Sequence, residues 1–151
     1  MRNIVAITGR MGSGKTTAAR ALVAAIPRAA RVAFARAVRI DVASLLRDQY
    51  YVGVPWEEDA SCDWIDEHKA DMRTLLQGLG EGVRQVVAED YWINRLDEYL
   101  AELEYLQAPG QLFVVDDLRY ENEAAWVRSQ GGLIIRLCAP QWVRQARLGM
   151  A

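Results

Sequence analysis

The feature that most constrains this chain is a glycine-rich segment close to its start. Residues 9–16 read Gly-Arg-Met-Gly-Ser-Gly-Lys-Thr and fit the pattern G-x-x-x-x-G-K-[ST]. An apolar run at residues 4–8 precedes the segment, and an alanine-rich helical pattern at residues 15–26 follows it. In a strand–turn–helix context, backbone N–H groups and a helix N-terminus converge on one point, where they favour a phosphate group. We refer to residues 9–16 as the phosphate loop.

The side chains of the phosphate loop predict binding of ATP together with Mg²⁺. Lys15 is expected to reach the β- and γ-phosphates, and the Thr16 hydroxyl is expected to bind the metal. The only other lysine is Lys69, in a chain whose Lys and Arg together number 18, so the choice of lysine at this position is selective. The predicted ATP-binding residues of this region are Gly9, Gly12, Ser13, Gly14, Lys15, Thr16 and Thr17.

Apolar runs alternate with helical patterns along the chain. Strands are predicted at residues 4–8, 31–34, 112–115 and 133–137. Helices are predicted at residues 15–26, 35–50, 71–89, 91–106, 121–129 and 141–148. Breaks are predicted at 52–55 and 109–110. The acidic residues 56–69 are predicted to form a solvated loop or helix face. The inward residues are predicted to be Val38, Val42, Leu45 and Leu46 in the second helix, and Leu75, Leu76, Leu79, Val83, Val86 and Val87 in the third. The alternation predicts an α/β fold with a parallel sheet covered by helices on both faces.

Two adjacent carboxylates end the most apolar of these strands. Asp116 and Asp117 follow residues 112–115, and ligands of parallel sheets bind at the carboxyl ends of strands. An aspartate there can hold Mg²⁺ directly or through water, so both are candidate metal ligands together with Thr16. The alternative is a strand-terminal aspartate that caps the next helix.

One helix carries a stripe suited to a second anionic ligand. Arg73, Gln77, Gly80 and Arg84 are spaced four, three and four residues apart, which places them within a narrow arc of the predicted helix 71–89. Two arginines, an amide and a gap without a side chain can hold a phosphate and a base edge. The alternative is an ordinary solvated helix face.

Four sequence blocks resemble the bacteriophage deoxynucleoside monophosphate kinases, a branch of the P-loop nucleoside monophosphate kinases. The blocks are Gly9 to Thr16; Phe34-Ala35 with Val38-Arg39; Arg73 to Gln77 with Gly80 and Arg84; and Asp117-Leu118-Arg119-Tyr120 with Asn122-Glu123-Ala124. They occur in the family's order and span most of the chain. The resemblance implies ATP as donor, Mg²⁺ as cofactor and a (deoxy)nucleoside monophosphate as acceptor.

The resemblance also implies roles for individual residues. The implied catalytic residues are Lys15, Asp117 and Arg119. The implied acceptor-binding residues are Arg39, Arg73, Gln77 and Arg84. The implied lid arginines, which would contact ATP, are Arg144 and Arg147. It implies a single three-layer domain with its core at 1–34 and 111–139, a helical acceptor-binding insert at about 35–110 and a partial lid at about 140–151. The family has a last strand after the lid, which this sequence is expected to lack, either as a truncated product or because its fold closes in another way.

Composition limits the other functions that the chain can perform. A formal net charge of -2 argues against stable binding to nucleic acid, and no apolar run is long enough for a membrane span. Cys62 and Cys138 match no metal-binding spacing, so we expect both to be reduced thiols of a cytoplasmic protein. If the chain is phage-encoded, that cytoplasm is the host's. Trp56, Trp64 and Trp142 are expected to be exposed, which leaves room for a partner surface such as that of a homodimer.

Two other functions stay open at this point. A small-metabolite kinase, such as one acting on dephospho-coenzyme A, would use the same phosphate loop with another acceptor. A nucleotide-binding module that has lost phosphoryl transfer would bind a triphosphate without turning over any acceptor. Both differ from the monophosphate kinase in the acceptor, and an acceptor panel separates all three.

Overall fold

Four short strands form an all-parallel sheet in the computed structural model of the chain, which describes residues 1–48, 53–106 and 110–149. The strands are β1 (Asn3–Thr8), β2 (Ala29–Val32), β3 (Leu112–Val115) and β4 (Leu133–Arg136). Their order across the sheet is β2-β3-β1-β4, and each neighbouring pair is parallel. Together with the flanking helices, this sheet confirms the predicted α/β fold. No strand follows β4 within the described residues.

The described residues form seven helices, of which six lie close to the predicted ones and one, at Glu58–Glu67, lies in the acidic segment predicted as a loop or helix face. They are α1 (Lys15–Ala25), α2 (Arg36–Asp48), α3 (Glu58–Glu67), α4 (Lys69–Val86), α5 (Tyr91–Leu106), α6 (Glu121–Ser129) and α7 (Gln141–Arg147). The predicted end of α2 at Tyr50, the break that begins at Val52, the turn at Pro109 and the last two residues of the predicted lid lie outside the described residues. Within the described ranges, no helix has both the length and the apolar character that a bilayer crossing requires.

The chain divides into two compact units. The sheet unit comprises Met1–Ala33 and Leu100–Ala151, and the helical unit comprises Phe34–Tyr99. All four strands belong to the sheet unit, whereas α2, α3, α4 and the first part of α5 belong to the helical unit. The single domain with an insert at 35–110 stays a prediction.

The sheet unit is held together by short strands that are apolar on both faces. β1 pairs with β3 and with β4, and Ile7 and Val114 are buried against Ala19 of α1. Near-continuous apolar runs are the pattern expected of parallel strands covered on both sides. β2 ends at Val32 instead of continuing to the predicted residue 34, because its partner β3 ends at Val115 in the same register.

The helical unit has its own core, which corrects the predicted stripe of α4. The apolar side chains of α4 that pack on this core are Met72, Leu76, Leu79 and Val83, spaced four, three and four residues apart. The predicted inward residues Leu75, Val86 and Val87 are exposed by 43%, 85% and 64%, and Leu45 of α2 is exposed by 46%. The prediction counted every apolar residue, whereas one helix face is only wide enough to bury the four on its stripe.

Two aromatic side chains tie α4 and α5 to this core. Trp92 is buried, and its indole Nε1–H donates a hydrogen bond to the Gly80 carbonyl at 2.8 Å, so the one polar atom of this large side chain is satisfied. Trp64 is half-buried against the same core and stacks on His68, with ring centroids 4.0 Å apart. Of the three tryptophans predicted to be exposed, Trp56 and Trp142 are exposed by 83% and 73%, but the prediction for Trp64 is wrong because it packs on this core.

Candidate functional site

The phosphate loop connects the carboxyl end of β1 to the first residue of α1. Its three glycines all have positive φ, 150° at Gly9, 79° at Gly12 and 96° at Gly14, which other residues adopt only with strain. A Cβ on Gly9 would lie 2.5 Å from the Leu137 carbonyl oxygen, so this position also requires the absence of a side chain. Gly14 provides no side-chain cap to α1, and the first N–H groups of the helix are therefore left for an anion.

Lys15 lies across the phosphate loop. Its Nζ donates hydrogen bonds to the carbonyl oxygens of Gly9 at 2.8 Å and Arg10 at 3.2 Å. Burial lowers the pKa of the Lys15 ammonium, the positive charge of Arg119 lowers it further, and the charge of Asp116 raises it. The predicted catalytic residues Lys15 and Arg119 are thus close enough to interact electrostatically at one end of the sheet.

Asp116 has a partner that the sequence analysis missed. Its carboxylate is buried, and Oδ2 accepts a hydrogen bond from Arg31 Nε at 2.8 Å. The two residues are 85 positions apart, and only the pairing of β2 with β3 brings them together. No local spacing could have identified Arg31.

The turn after β3 is fixed by a second buried carboxylate. Glu123 Oε2 accepts hydrogen bonds from the backbone N–H groups of Arg119 at 2.8 Å and Tyr120 at 3.0 Å. The Thr8 hydroxyl donates to the Leu118 carbonyl at 3.1 Å, which links the turn to the end of β1. Glu123 is the third residue of α6, and its bond to the Tyr120 N–H is the acidic half of a capping box, whose usual N-cap serine or threonine is here a tyrosine. These contacts fix the backbone that carries Arg119.

Both predicted lid arginines lie against the phosphate loop. Arg147 donates a hydrogen bond to the Gly12 carbonyl at 3.0 Å. A Cβ on Gly12 would lie 3.0 Å from the Arg144 carbonyl oxygen, so α7 packs directly on the loop backbone. Arg144 Nε donates to the Ala139 carbonyl at 3.2 Å, which holds α7 to the segment that follows β4.

The predicted acceptor-side arginine of α2 is paired with α3. Arg39 Nε lies 3.0 Å from Asp66 Oδ1. Its neighbour Arg36 lies 3.0 Å from both Glu58 Oε2 and Asp59 Oδ1, and its guanidinium covers the Tyr99 ring at 3.8 Å. The acidic segment is therefore a helix whose carboxylates engage arginines, in addition to facing solvent as predicted.

The three predicted acceptor residues of α4 differ in their surroundings. Arg73 and Gln77 are exposed, and neither side chain forms a hydrogen bond or ion pair with another described residue. Arg84 is half-buried, with its Nη2 atom 3.9 Å from Glu89 Oε1. Gly80, between them, has only the Val38 methyl groups near the position of an added Cβ, at 3.9 Å. The acceptor assignment of these residues stays a prediction.

The donor set at the phosphate loop fits Mg²⁺ bound together with a triphosphate. Among the residues that the structure describes, no three His, Cys, Asp or Glu side chains are grouped so that they alone could hold a metal ion. Mg²⁺ at triphosphate sites takes one or two protein ligands and completes its shell with phosphate oxygens and water. Thr16 is exposed at the start of α1, and Asp117 follows β3, so the chain offers a hydroxyl and a carboxylate of the required kind.

Comparisons with known proteins agree with this geometry. A search of curated proteins gives no match to the chain. The model of the family described as AAA domain matches residues 5–149, from β1 through α7. The match therefore includes the phosphate loop, most of β1, the other three strands and both arginines predicted to form a lid. The chain belongs to this AAA domain family, a P-loop NTPase-like family that includes many kinases.

Proposed function

We propose that the chain transfers the terminal phosphate of ATP to a (deoxy)nucleoside monophosphate and so forms the diphosphate. The observation that carries the proposal is the convergence of three cationic side chains on the phosphate loop from distant parts of the chain. Lys15 belongs to the loop, Arg119 interacts with it electrostatically from the turn after β3, and Arg147 binds the Gly12 carbonyl from α7. Phosphoryl transfer needs this kind of charge neutralisation more than any covalent chemistry.

The chemistry of a monophosphate acceptor suits a site built from cations. The acceptor's phosphate oxygen is already an anionic nucleophile, so no general base has to be supplied. The chain contains a single histidine, His68, whose Nδ1 lies 2.8 Å from the Trp64 carbonyl oxygen in the helical unit. The protein's task is then to bind, orient and neutralise, which arginines do well.

The helical unit supports the acceptor side of the proposal. Arg36 and Arg39 each lie 3.0 Å from a carboxylate oxygen of α3, so both guanidinium groups have the geometry to bind an oxyanion. Arg73 and Gln77 offer an exposed cation and an exposed amide four residues apart on one helix face. This set can hold a phosphate and reach a base edge.

Magnesium would contribute by neutralising charge on the β- and γ-phosphates. Thr16 and Asp117 are the residues that would hold it. Asp116 suits the role less well, because its carboxylate is buried in the ion pair with Arg31.

The test is an ATP-coupled assay across all ribo- and deoxynucleoside monophosphates, with dephospho-coenzyme A in the same panel. The Lys15→Ala protein is expected to lose turnover while keeping the circular dichroism spectrum of the unaltered chain. The matched control is Lys69→Ala, which removes the only other lysine at an exposed position of α4. Turnover confined to dephospho-coenzyme A identifies the metabolite kinase, and triphosphate binding without turnover of any acceptor identifies a binding module.

A further inference from the structure

A cleft on the sheet unit adjoins the phosphate loop and has a distinctive lining. Its volume is about 190 Å³, and its lining includes Arg10, Arg136 and Arg144 together with Ser13 and Cys138. The described lining residues include three arginines and no acidic residue, which gives this small cleft a positive potential.

Ser13 belongs to both the phosphate loop and the cleft lining, and its side chain indicates that a polar ligand enters there. The residue is 8% exposed, and its buried Oγ has no hydrogen-bond partner among the described residues. A buried hydroxyl without a partner costs free energy unless a ligand or water satisfies it. An anionic group that enters the cleft could accept a hydrogen bond from this hydroxyl.

Cys138 brings a nucleophile to the cleft. It follows β4 and is exposed. Cys62, in contrast, is half-buried on α3, and burial raises the pKa of its thiol. Reaction with a disulfide requires access to the thiolate, so the two cysteines should differ strongly in reactivity.

We propose that Cys138 is a modification site for anionic disulfides of the glutathione type, and that the adduct blocks nucleotide binding at the phosphate loop. The thiol proton passes to solvent, and the Cys138 thiolate attacks one sulfur of the disulfide. A bond forms between Cys138 Sγ and that sulfur while the disulfide's own S–S bond breaks, and the other half leaves as a thiolate. A thiol reductant reverses the exchange.

The position of Cys138 explains why the adduct excludes a nucleotide. The preceding residue, Leu137, touches the phosphate loop so closely that a Cβ on Gly9 would lie 2.5 Å from its carbonyl oxygen. Leu137 N–H also donates to the Thr8 carbonyl at 2.8 Å, which leaves this segment little freedom to move away. An adduct in the cleft thus fills space beside the loop and pairs with arginine side chains that line it. This consequence rests on nucleotide binding by the loop, whereas the charge selectivity of the modification does not.

The first experiment compares two disulfide probes on the unaltered chain, dianionic dithiobis(nitrobenzoate) and uncharged dithiodipyridine. Peptide mass spectrometry reports the modification rate of each cysteine separately. We expect Cys138 to react faster than Cys62 with both probes and to favour the anionic one.

Arg136→Gln should lower the anionic-to-neutral rate ratio at Cys138 by about threefold, because one nearby positive charge is lost. The control is Arg20→Gln, an exposed arginine of α1 outside the cleft, which should leave the ratio unchanged. Equal ratios in all three proteins would overturn the proposal.

The second experiment tests competition with the nucleotide. ATP with Mg²⁺ is expected to slow modification of Cys138 several-fold and to leave Cys62 unaffected, and the glutathione adduct should bind a fluorescent ATP analogue more weakly until dithiothreitol restores affinity. ATP that binds the chain without protecting Cys138 would refute the proposed block. A chain that binds no ATP before modification would refute nucleotide binding itself, and the rate ratios would then still decide whether the cleft selects anionic disulfides.

Discussion

Arg31 on β2 and Asp116 after β3 form an ion pair with 2.8 Å between Nε and Oδ2, and this pair occupies one of the two carboxylates at the end of the strand. The Asp116 side chain is 5% exposed and the Arg31 side chain 35% exposed. Asp116 is therefore a structural partner of the neighbouring strand as well as a source of negative charge near Lys15. The pair gives Asp116 a structural role, which is tested separately from the metal role proposed for Asp117.

The first prediction concerns these two roles. Asp116→Asn should lower the free energy of unfolding by about 1–3 kcal/mol, because it weakens a charge-assisted hydrogen bond at a buried group. Asp117→Asn should instead raise the Mg²⁺ concentration needed for half-maximal turnover, and to a greater extent than Asp116→Asn does. Urea denaturation and a magnesium titration of both variants measure these effects. The opposite order in the titration would assign the metal to Asp116.

The second prediction concerns the Asp66–Arg39 ion pair. If Arg39 binds the acceptor's phosphate, Asp66 competes for the same guanidinium, and Asp66→Asn should lower KM for the acceptor. An exposed pair of this kind is worth about 0.2–1 kcal/mol, so the decrease should not exceed about fivefold. Asp63→Asn is the matched control, because Asp63 is exposed on the same helix and forms no ion pair with a described residue. The same KM in both variants would remove Arg39 from the acceptor site.

The third prediction tests the exposed residues of α4. Gln77→Ala should change the ranking among nucleobases, because losing one hydrogen bond to the favoured base costs about 0.5–1.5 kcal/mol, or up to roughly tenfold in discrimination. Arg73→Ala should raise KM for every monophosphate while leaving ATP affinity unchanged. Gln85→Ala serves as the control, since Gln85 is an exposed amide of the same helix that donates to Glu81 at 3.0 Å. Unchanged kinetics across the acceptor panel in both test variants would leave α4 an ordinary solvated face.

The fourth prediction uses two glycines. Gly12→Ala places a Cβ 3.0 Å from the Arg144 carbonyl oxygen at a φ of 79°, so it should destabilise the chain by at least about 1–2 kcal/mol and weaken ATP binding. Gly82→Ala, within α4, meets nothing within 4 Å and should stabilise the chain by about 0.5–1 kcal/mol. Thermal unfolding and nucleotide titration distinguish the two variants. A Gly12→Ala protein with normal stability and affinity would show that the approach of α7 to the loop is dispensable.

Local patterns were enough to predict most of the secondary structure. The bounds of α5 and α6 agree with the predicted 91–106 and 121–129, and β3 agrees with the predicted 112–115. Apolar periodicity decides these elements, because each must bury one face regardless of its partner. The stripe of α4 was predicted too wide, since periodicity does not reveal how much of a helix its neighbours cover.

The sequence by itself determined the position and type of the phosphate loop, because its glycines, its lysine and the start of the following helix all lie within eight consecutive residues. Only the tertiary structure decided that Arg31 binds Asp116, that Asp66 binds Arg39 and that Arg147 reaches Gly12, pairs separated by 85, 27 and 135 positions. Each contact depends on strand order or on how one helix packs beside another. A single sequence carries no local signal for those arrangements, because a side chain's partner across the fold is set by the packing of everything between them.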